Sequence, residues 1–265
     1  MLSYPSSMSV SSRALNMLAE ALGHERRARR TRWRRLDAGQ QALLVLAYLR
    51  QGETYTDLAG GFGIGLATVF RYIREALDVL AATATPLTKA VELARRKAFV
   101  IIDGTLLRID RVGMTGGRDH PFYSGKQKRH GVNVQVLADP AGRLIWTSPT
   151  LPGARLDRGA AREHGIIDAF EHAGVRVIAD SAYRGAGANV EVPHRRPPRD
   201  PETGERRWRL SANEKAVNTA YSRQRGTGER ANAQLKSWRI LRKIRSSPRQ
   251  MTRLVDAVRS VIHAD

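Results

Sequence analysis

The chain of 265 residues has no cysteine, which excludes disulfide staples and thiolate metal sites. The same absence fits a reducing compartment, and a cytoplasmic, nucleoid-associated protein is expected. No stretch reaches the roughly 18 consecutive apolar residues that a membrane span requires. The N-terminus, MLSYPSSMSVSSRALNMLAE, has no basic segment followed by an apolar one, so no secretory signal is expected. Three catalytic or nucleotide motifs are also missing. There is no GxxxxGK[ST], hence no P-loop, and no GxSxG nucleophile elbow. Gly60–Gly65 (GGFGIG) lies between helical segments with no strand before it, which argues against a dinucleotide fingerprint.

Acidic residues are scarce as well. Asp and Glu total 25 against 45 Lys and Arg, a formal net charge of +20. A field of that sign draws polyanions, and nucleic acid is the first candidate. Only seven of the basic residues are lysine. Arginine suits bidentate phosphate and guanine contacts. A GC-rich genome would explain the arginine-to-lysine ratio, but not the net charge.

The basic residues are not evenly spread. Glu25–Arg35 (ERRARRTRWRR) reads as a phosphate-binding arm. Asp37–Leu49 follows as a helix, with Asp37 as N-cap and Gln40 placed for a capping box. Thr54–Ala81 then breaks into helix (Thr56–Phe62), turn (Gly63-Ile64-Gly65) and a second helix from Leu66. Val69, Ile73 and Leu77 share one face of that second helix, leaving Thr68, Phe70, Arg71 and Arg74 elsewhere on it. This is the helix-turn-helix layout, whose second helix enters the major groove. Thr68, Arg71 and Arg74 are the candidate DNA contacts. Gly60-Gly61 inside the first helix is a local defect, each Gly costing about 1 kcal/mol relative to Ala.

After Pro86 and a short helix, Leu87–Arg96, the pattern changes to strands. Phe99–Asp110 (FVIIDGTLLRID), Gly131–Ala138 (GVNVQVLA) and Arg143–Thr150 (RLIWTSPT) form a three-stranded meander, with Asp139-Pro140-Ala141-Gly142 as a turn. Asp157–Ala173 reads as a helix and Val175–Ala179 as a short buried strand. A basic, proline-rich loop spans His194–Arg209. Ser211 caps a final helical region to Leu241, with an interruption expected around Gly226–Gly228. The order predicts an α/β fold: a mixed sheet flanked by helices, preceded by an all-α helix-turn-helix domain. The division falls at 1–96 and 97–265.

Two acids stand out because they end apolar strands. Asp103 follows FVII, and Asp180 follows VRVIA. A carboxylate there is costly to bury unless it is paired or holds a cation. Strand ends are also where open α/β sheets place ligands. Two such carboxylates side by side repel, and a divalent ion reverses the sign. A third acid would come from the helical region, where both Glu229 and Glu214 qualify. The histidines have no ligand spacing to one another. His130 alone is notable, because it follows Lys126-Gln127-Lys128-Arg129.

At these residues the chain resembles the DDE-superfamily endonucleases of bacterial insertion sequences of the insertion-sequence-five type, relatives of the Harbinger-type transposases. The likeness spans about residues 38 to 245. DGTLLRI (Asp103–Ile109) resembles the first-Asp motif and ADSAYRG (Ala179–Gly185) the second. YSGKQKRHGVNVQVLADPAGRLIW (Tyr123–Trp146) is similar to the strands between them. PGARLD (Pro152–Asp157) resembles a PGS-x-HD segment, departing at Ala154 and Leu156. GERANAQLKSWRIL (Gly228–Leu241) resembles the third-acid motif, with Gly228 where the family has an apolar residue.

The resemblance implies an RNase H-like core in which Asp103, Asp180 and Glu229 hold two Mg²⁺ ions, with Mn²⁺ able to substitute. It also implies Asp157 as an auxiliary residue, beside His130 from the basic stretch, and Lys126, Lys128, Arg129 and Arg184 as phosphate contacts. The partners implied are double-stranded DNA, both terminal inverted repeats and target, and a homodimer on paired ends. No dimerisation element is visible in the sequence. The activity implied is transposition by strand cleavage and transfer. The alternatives are a non-catalytic helix-turn-helix DNA-binding protein and an RNase H-like nuclease acting on RNA or hybrids.

Overall fold

The computed structural model describes residues 9–30, 33–109, 120–196, 199, 201–205 and 209–265. Five helices come first: α1 (Ser12–Ala28), α2 (Ala38–Gln51), α3 (Tyr55–Phe62), α4 (Leu66–Ala82) and α5 (Leu87–Ala94). Ser11 caps α1, accepting from the Ala14 amide at 3.2 Å. The helix runs on through Arg26 and Arg27, so the first part of the basic run is helical rather than an arm. Thr31 and Arg32 lie outside the described residues. The Asp37–Gln40 capping box opens α2. Gly63, at φ 62°, ends α3, and Gly65 precedes α4, giving the expected tight turn. Val69 and Ile73 are buried together with Tyr72, Ala76 and Leu80, while Leu77 is only half-buried.

The central strand is β1 (Val100–Arg108), followed by β2 (Tyr123–Ser124), β3 (Arg129–Ala138), β4 (Leu144–Thr147) and β5 (Leu151–Pro152). β1 pairs antiparallel with β3 from Ile101↔Ala138 to Arg108↔Gly131. Asp110, the expected end of the first strand, lies outside the described residues. The third strand of the meander is broken into β4 and β5. Pro149 cannot donate to the ladder, and the Ser148 hydroxyl takes over as acceptor for the Gln135 amide at 2.9 Å. Next come α6 (Asp157–Glu163) and α7 (Ile166–His172), then β6 (Val177–Ile178) and β7 (Val190–Glu191). One helix was expected over Asp157–Ala173, but Gly165 at φ 65° divides it. β6 lies parallel to β1, and β7 parallel to β6. The sheet therefore has β1 at its centre, antiparallel strands on one side and parallel ones on the other.

Helix α8 (Ala212–Ser237) is followed by α9 (Arg239–Arg242) and α10 (Pro248–Ala264). α8 is unbroken across Gly226–Gly228, where an interruption was expected, and it ends instead at Trp238. A β-carbon on Gly228 would come within 2.8 Å of Ile101 Cγ2. The missing side chain lets the helix lie directly on β1, and that packing outweighs glycine's poor propensity. α10 was not anticipated. Its Leu254, Val255, Val258 and Val261 are buried, and it packs on α4, α1 and β4. A single hydrophobic core thus runs from the N-terminal helices through α10 and α8 to one face of the sheet. Val100, Ile102 and Leu137 face the other way, with Ile167 and Phe170 of α7.

Candidate active site

Side chains alternate along β1, so Asp103 shares the α8 face with Ile101 while Gly104 faces α6. Asp103 Oδ2 accepts from Asn232 Nδ2 of α8 at 2.7 Å. Its carboxyl is pushed up to about 6, first by burial and then by the negative charges of Glu229, Asp180 and Asp157, with Arg225 opposing. The fold therefore gathers all three expected acids, and Asp157 with them, within electrostatic reach of Asp103. Glu229 is reached because Gly228, its neighbour, seats α8 on β1.

Asp180 lies two residues beyond β6 and caps the turn Ser181–Tyr183, its Oδ1 accepting from the Ala182 amide at 2.8 Å. Asp157 opens α6. A β-carbon on Gly104 would lie 2.0 Å from Asp157 Oδ1, so only glycine admits this carboxylate against the strand. Asp157 is tied from β3 by Asn133 Nδ2, at 2.8 Å, and Lys126 Nζ stands 3.5 Å from its Oδ2. Behind it runs a buried chain. Asn133 Oδ1 accepts from Gln135 Nε2 at 2.8 Å, and Gln135 Oε1 accepts from the Tyr183 hydroxyl at 2.5 Å. Burial, and then the charges of Asp157, Asp103 and Asp180, keep the Tyr183 phenol protonated far above its ordinary range. Tyr183 thus links the turn carrying Asp180 to the strand that holds Asp157.

The donors are oxygen-only, which suits a hard divalent cation. Mutual repulsion among the carboxylates is what such an ion relieves. Among the described residues no group of three His, Cys, Asp or Glu side chains stands close enough together to hold a metal ion by itself. A magnesium site completed by substrate phosphate needs only a few carboxylates.

A family model for DDE superfamily endonucleases matches residues 102–262, which takes in all four acids. The chain belongs to that family. A second model, the helix-turn-helix of DDE superfamily endonucleases, matches residues 34–86. A protein of Streptomyces albus G, named "Putative transposase for insertion sequence element IS112", is 31% identical over 212 residues, covering 77% of this chain and 71% of its own. Membership implies use of a divalent metal, and the helix-turn-helix suggests binding to DNA. Among the described residues no helix is long and apolar enough to cross a membrane.

In this DDE endonuclease the remaining expected residues are scattered over three surfaces. Arg71 and Arg74 project from α4 into solvent, with half-buried Thr68 beside them. Arg71 Nη2 lies 3.4 Å from Thr68 Oγ1, and its Nε donates to the Ala67 carbonyl at 3.2 Å. Exposed Leu66 and Phe70 share this surface. Lys126, Lys128 and Arg129 are exposed around the start of β3, Lys128 with φ 50°. His130 pairs with Tyr123 across β2 and β3, the rings 5.2 Å apart. Arg184 donates to the Pro193 carbonyl at 2.6 Å and so holds the loop after β7.

The residues that sequence reasoning missed are arginines. A cleft of about 1430 Å³ beside Asp180 is lined by Arg155, Arg158, Arg162, Arg195, Arg196 and Arg225, together with Arg184, the one member already expected as a phosphate contact. Part of the signal was present, since Arg158 and Arg162 recur at helical spacing in α6, with Arg155 just ahead of the helix. Two members of the N-terminal basic run turned out to be internal ties. Arg34 makes a two-pronged pair with Glu75 of α4 at 2.7 and 2.9 Å, and Arg26 bonds Gln41 at 2.5 Å. Arg34 thereby holds the segment before α2 to α4, and Arg26 ties α1 to α2.

Proposed function

We propose that this DDE endonuclease is a transposase that binds the ends of its insertion sequence and cuts and rejoins strands at Asp103, Asp180 and Glu229. The observation that carries it is the convergence of three acids, Asp180 after β6, Asp157 of α6 and Glu229 of α8, upon Asp103 of β1, whose carboxyl burial and then their charges push up to about 6. Two Mg²⁺ ions, or Mn²⁺ in their place, are the metals such a set would take; when bound they would activate the attacking oxygen and stabilise the leaving one.

The chain's own residues supply the positions. Asp103 of β1, Asp180 just after the neighbouring parallel strand β6, and Glu229 of α8 are the residues that would hold the metals. Asp157 is the auxiliary acid from α6, with Lys126 offsetting its charge. The arginines of the large cleft hold phosphates on either side of the scissile bond. In the first step water attacks the phosphorus and the 3′-oxygen leaves as a free hydroxyl. In the second, that hydroxyl attacks a target phosphodiester and displaces a 3′-oxygen in turn. Residues 1–96 would read the terminal repeats through Thr68, Arg71 and Arg74 of α4, and residues 97–265 would carry the chemistry. Two copies on paired ends would bring both cuts into one complex.

The deciding experiment is nicking of supercoiled plasmid carrying the element's own ends, with Mg²⁺, Mn²⁺, Ca²⁺ or EDTA. Cleavage with Mg²⁺ or Mn²⁺, lost in Asp103→Asn, Asp180→Asn and Glu229→Gln, is expected. Tight binding of those ends with no cutting under any metal would make the chain a DNA-binding relic instead.

A further inference from the structure

Along α8 the residues facing the sheet are Gly228, Ala231, Asn232 and Leu235. Three are small or apolar, as a buried helix stripe demands. Asn232 is the exception. It is only 7% exposed and sits one turn beyond Glu229. A buried amide normally satisfies both of its ends. Here Nδ2 donates to Asp103 Oδ2 at 2.7 Å, while Oδ1 is buried with no hydrogen-bond partner. A neutral, unpartnered oxygen therefore lies beside the carboxylate that the other acids already repel.

We propose that Asn232 is a further residue of the metal site, orienting Asp103 through its NH₂ group and offering Oδ1 as a neutral oxygen donor. This rests on the reading of Asp103, Asp180 and Glu229 as metal-holding acids. The chemistry favours an amide at this place. Another carboxylate would add a ligand but also another negative charge to a crowded set, whereas an amide oxygen adds a ligand and no charge. A leucine of similar volume would fill the stripe better if packing alone were at stake. The close seating of α8 at Gly228 is what brings this side chain to Asp103, because residues four apart lie on the same face of a helix.

The test is Mn²⁺ binding, followed by loss of the free-ion electron paramagnetic resonance signal. It uses full-length protein, alone and with a duplex carrying the element's end. Asn232→Leu and Asn232→Ala are expected to weaken Mn²⁺ binding about 10-fold or more, with unfolding midpoints in EDTA no lower than wild type for the Leu variant. Asn232→Asp, which keeps an oxygen at the position but loses the NH₂ group and adds a charge, is expected to bind Mn²⁺ more tightly than the Leu and Ala variants. Wild-type affinity in the Leu and Ala variants would overturn the proposal, as would loss of binding in the Asp variant equal to that in Leu. Asp103→Asn and Asp180→Asn run alongside. If they too leave Mn²⁺ binding unchanged, or if wild type binds none with or without DNA, the reading of the acids falls as well. If they abolish binding while Asn232→Leu does not, only the role of Asn232 falls.

Discussion

Asp103→Asn should make the metal-free protein more stable, and the effect should depend on pH in a defined direction. The carboxyl rises from 3.8 to about 6 on folding, so the folded state binds its proton more tightly than the unfolded chain does. For a raised acid, stability is highest below the unfolded value and is lost as pH climbs through the folded one. Above about pH 6 wild type carries the whole penalty. Each pH unit is worth about 1.4 kcal/mol, so the full shift amounts to about 3 kcal/mol, and partial solvent access reduces this to about 1–3 kcal/mol. Asparagine removes the charge, keeps the shape, and still presents an oxygen to Asn232 Nδ2. In a chain of this size 1 kcal/mol moves the midpoint by about 2–4 °C. The expected gain at pH 7.5 in EDTA is therefore about 2–12 °C, measured by circular dichroism and checked by urea unfolding. At pH 3.5 the difference should be nearly gone, because Asp103 is then protonated in the folded state and mostly protonated in the unfolded one. Saturating Mn²⁺ should reverse the order, since wild type gains binding energy that the variant lacks. A variant less stable than wild type at pH 7.5 without metal would refute the mutual repulsion of the acids. So would an equal gain at both pH values.

Tyr183→Phe leaves Gln135 Oε1 buried without its donor, which should cost about 1–3 kcal/mol in urea unfolding; nicking should also fall, because the chain to Asp157 loosens. Gly104→Ala drives a β-carbon into Asp157 Oδ1 at 2.0 Å and should abolish nicking while leaving end binding intact, as gel-shift titration would measure. Gly228→Ala tests packing against propensity: the gain of about 1 kcal/mol from propensity should be outweighed by the clash with Ile101, lowering the melting temperature. Arg71→Ala and Arg74→Ala should weaken binding to end-sequence duplex. A phosphate contact would show as a salt slope lower by about 1, and a base contact as a loss of preference for the end sequence.

Legibility in the sequence followed the range of the interaction concerned. The turn at Gly63–Gly65, the cap at Asp37 and the apolar runs leading into Asp103 and Asp180 each depend on neighbours close in the chain, and each could be read locally, although Asp103 lies inside β1 rather than at its expected end. Glu229 was reached only through resemblance. Nothing within its own helix separates it from Glu214, which caps that helix's first turn. The errors share one cause. At Gly226–Gly228 local propensity predicts a break, yet Ile101, more than a hundred residues away, makes glycine the residue that fits. The same long-range contact brings Asn232 to Asp103, so an amide that looks like an ordinary helix residue in sequence becomes part of the site. The arginine cleft is assembled likewise, from α6, the loops after β6 and β7, and α8. The mixed role of the N-terminal arginines completes the point. Arg26 and Arg34 match their neighbours by type, but they are spent on Gln41 and Glu75 rather than on a partner. Net charge can therefore identify a polyanion-binding protein, but only the fold can tell which of its cations remain to do the binding.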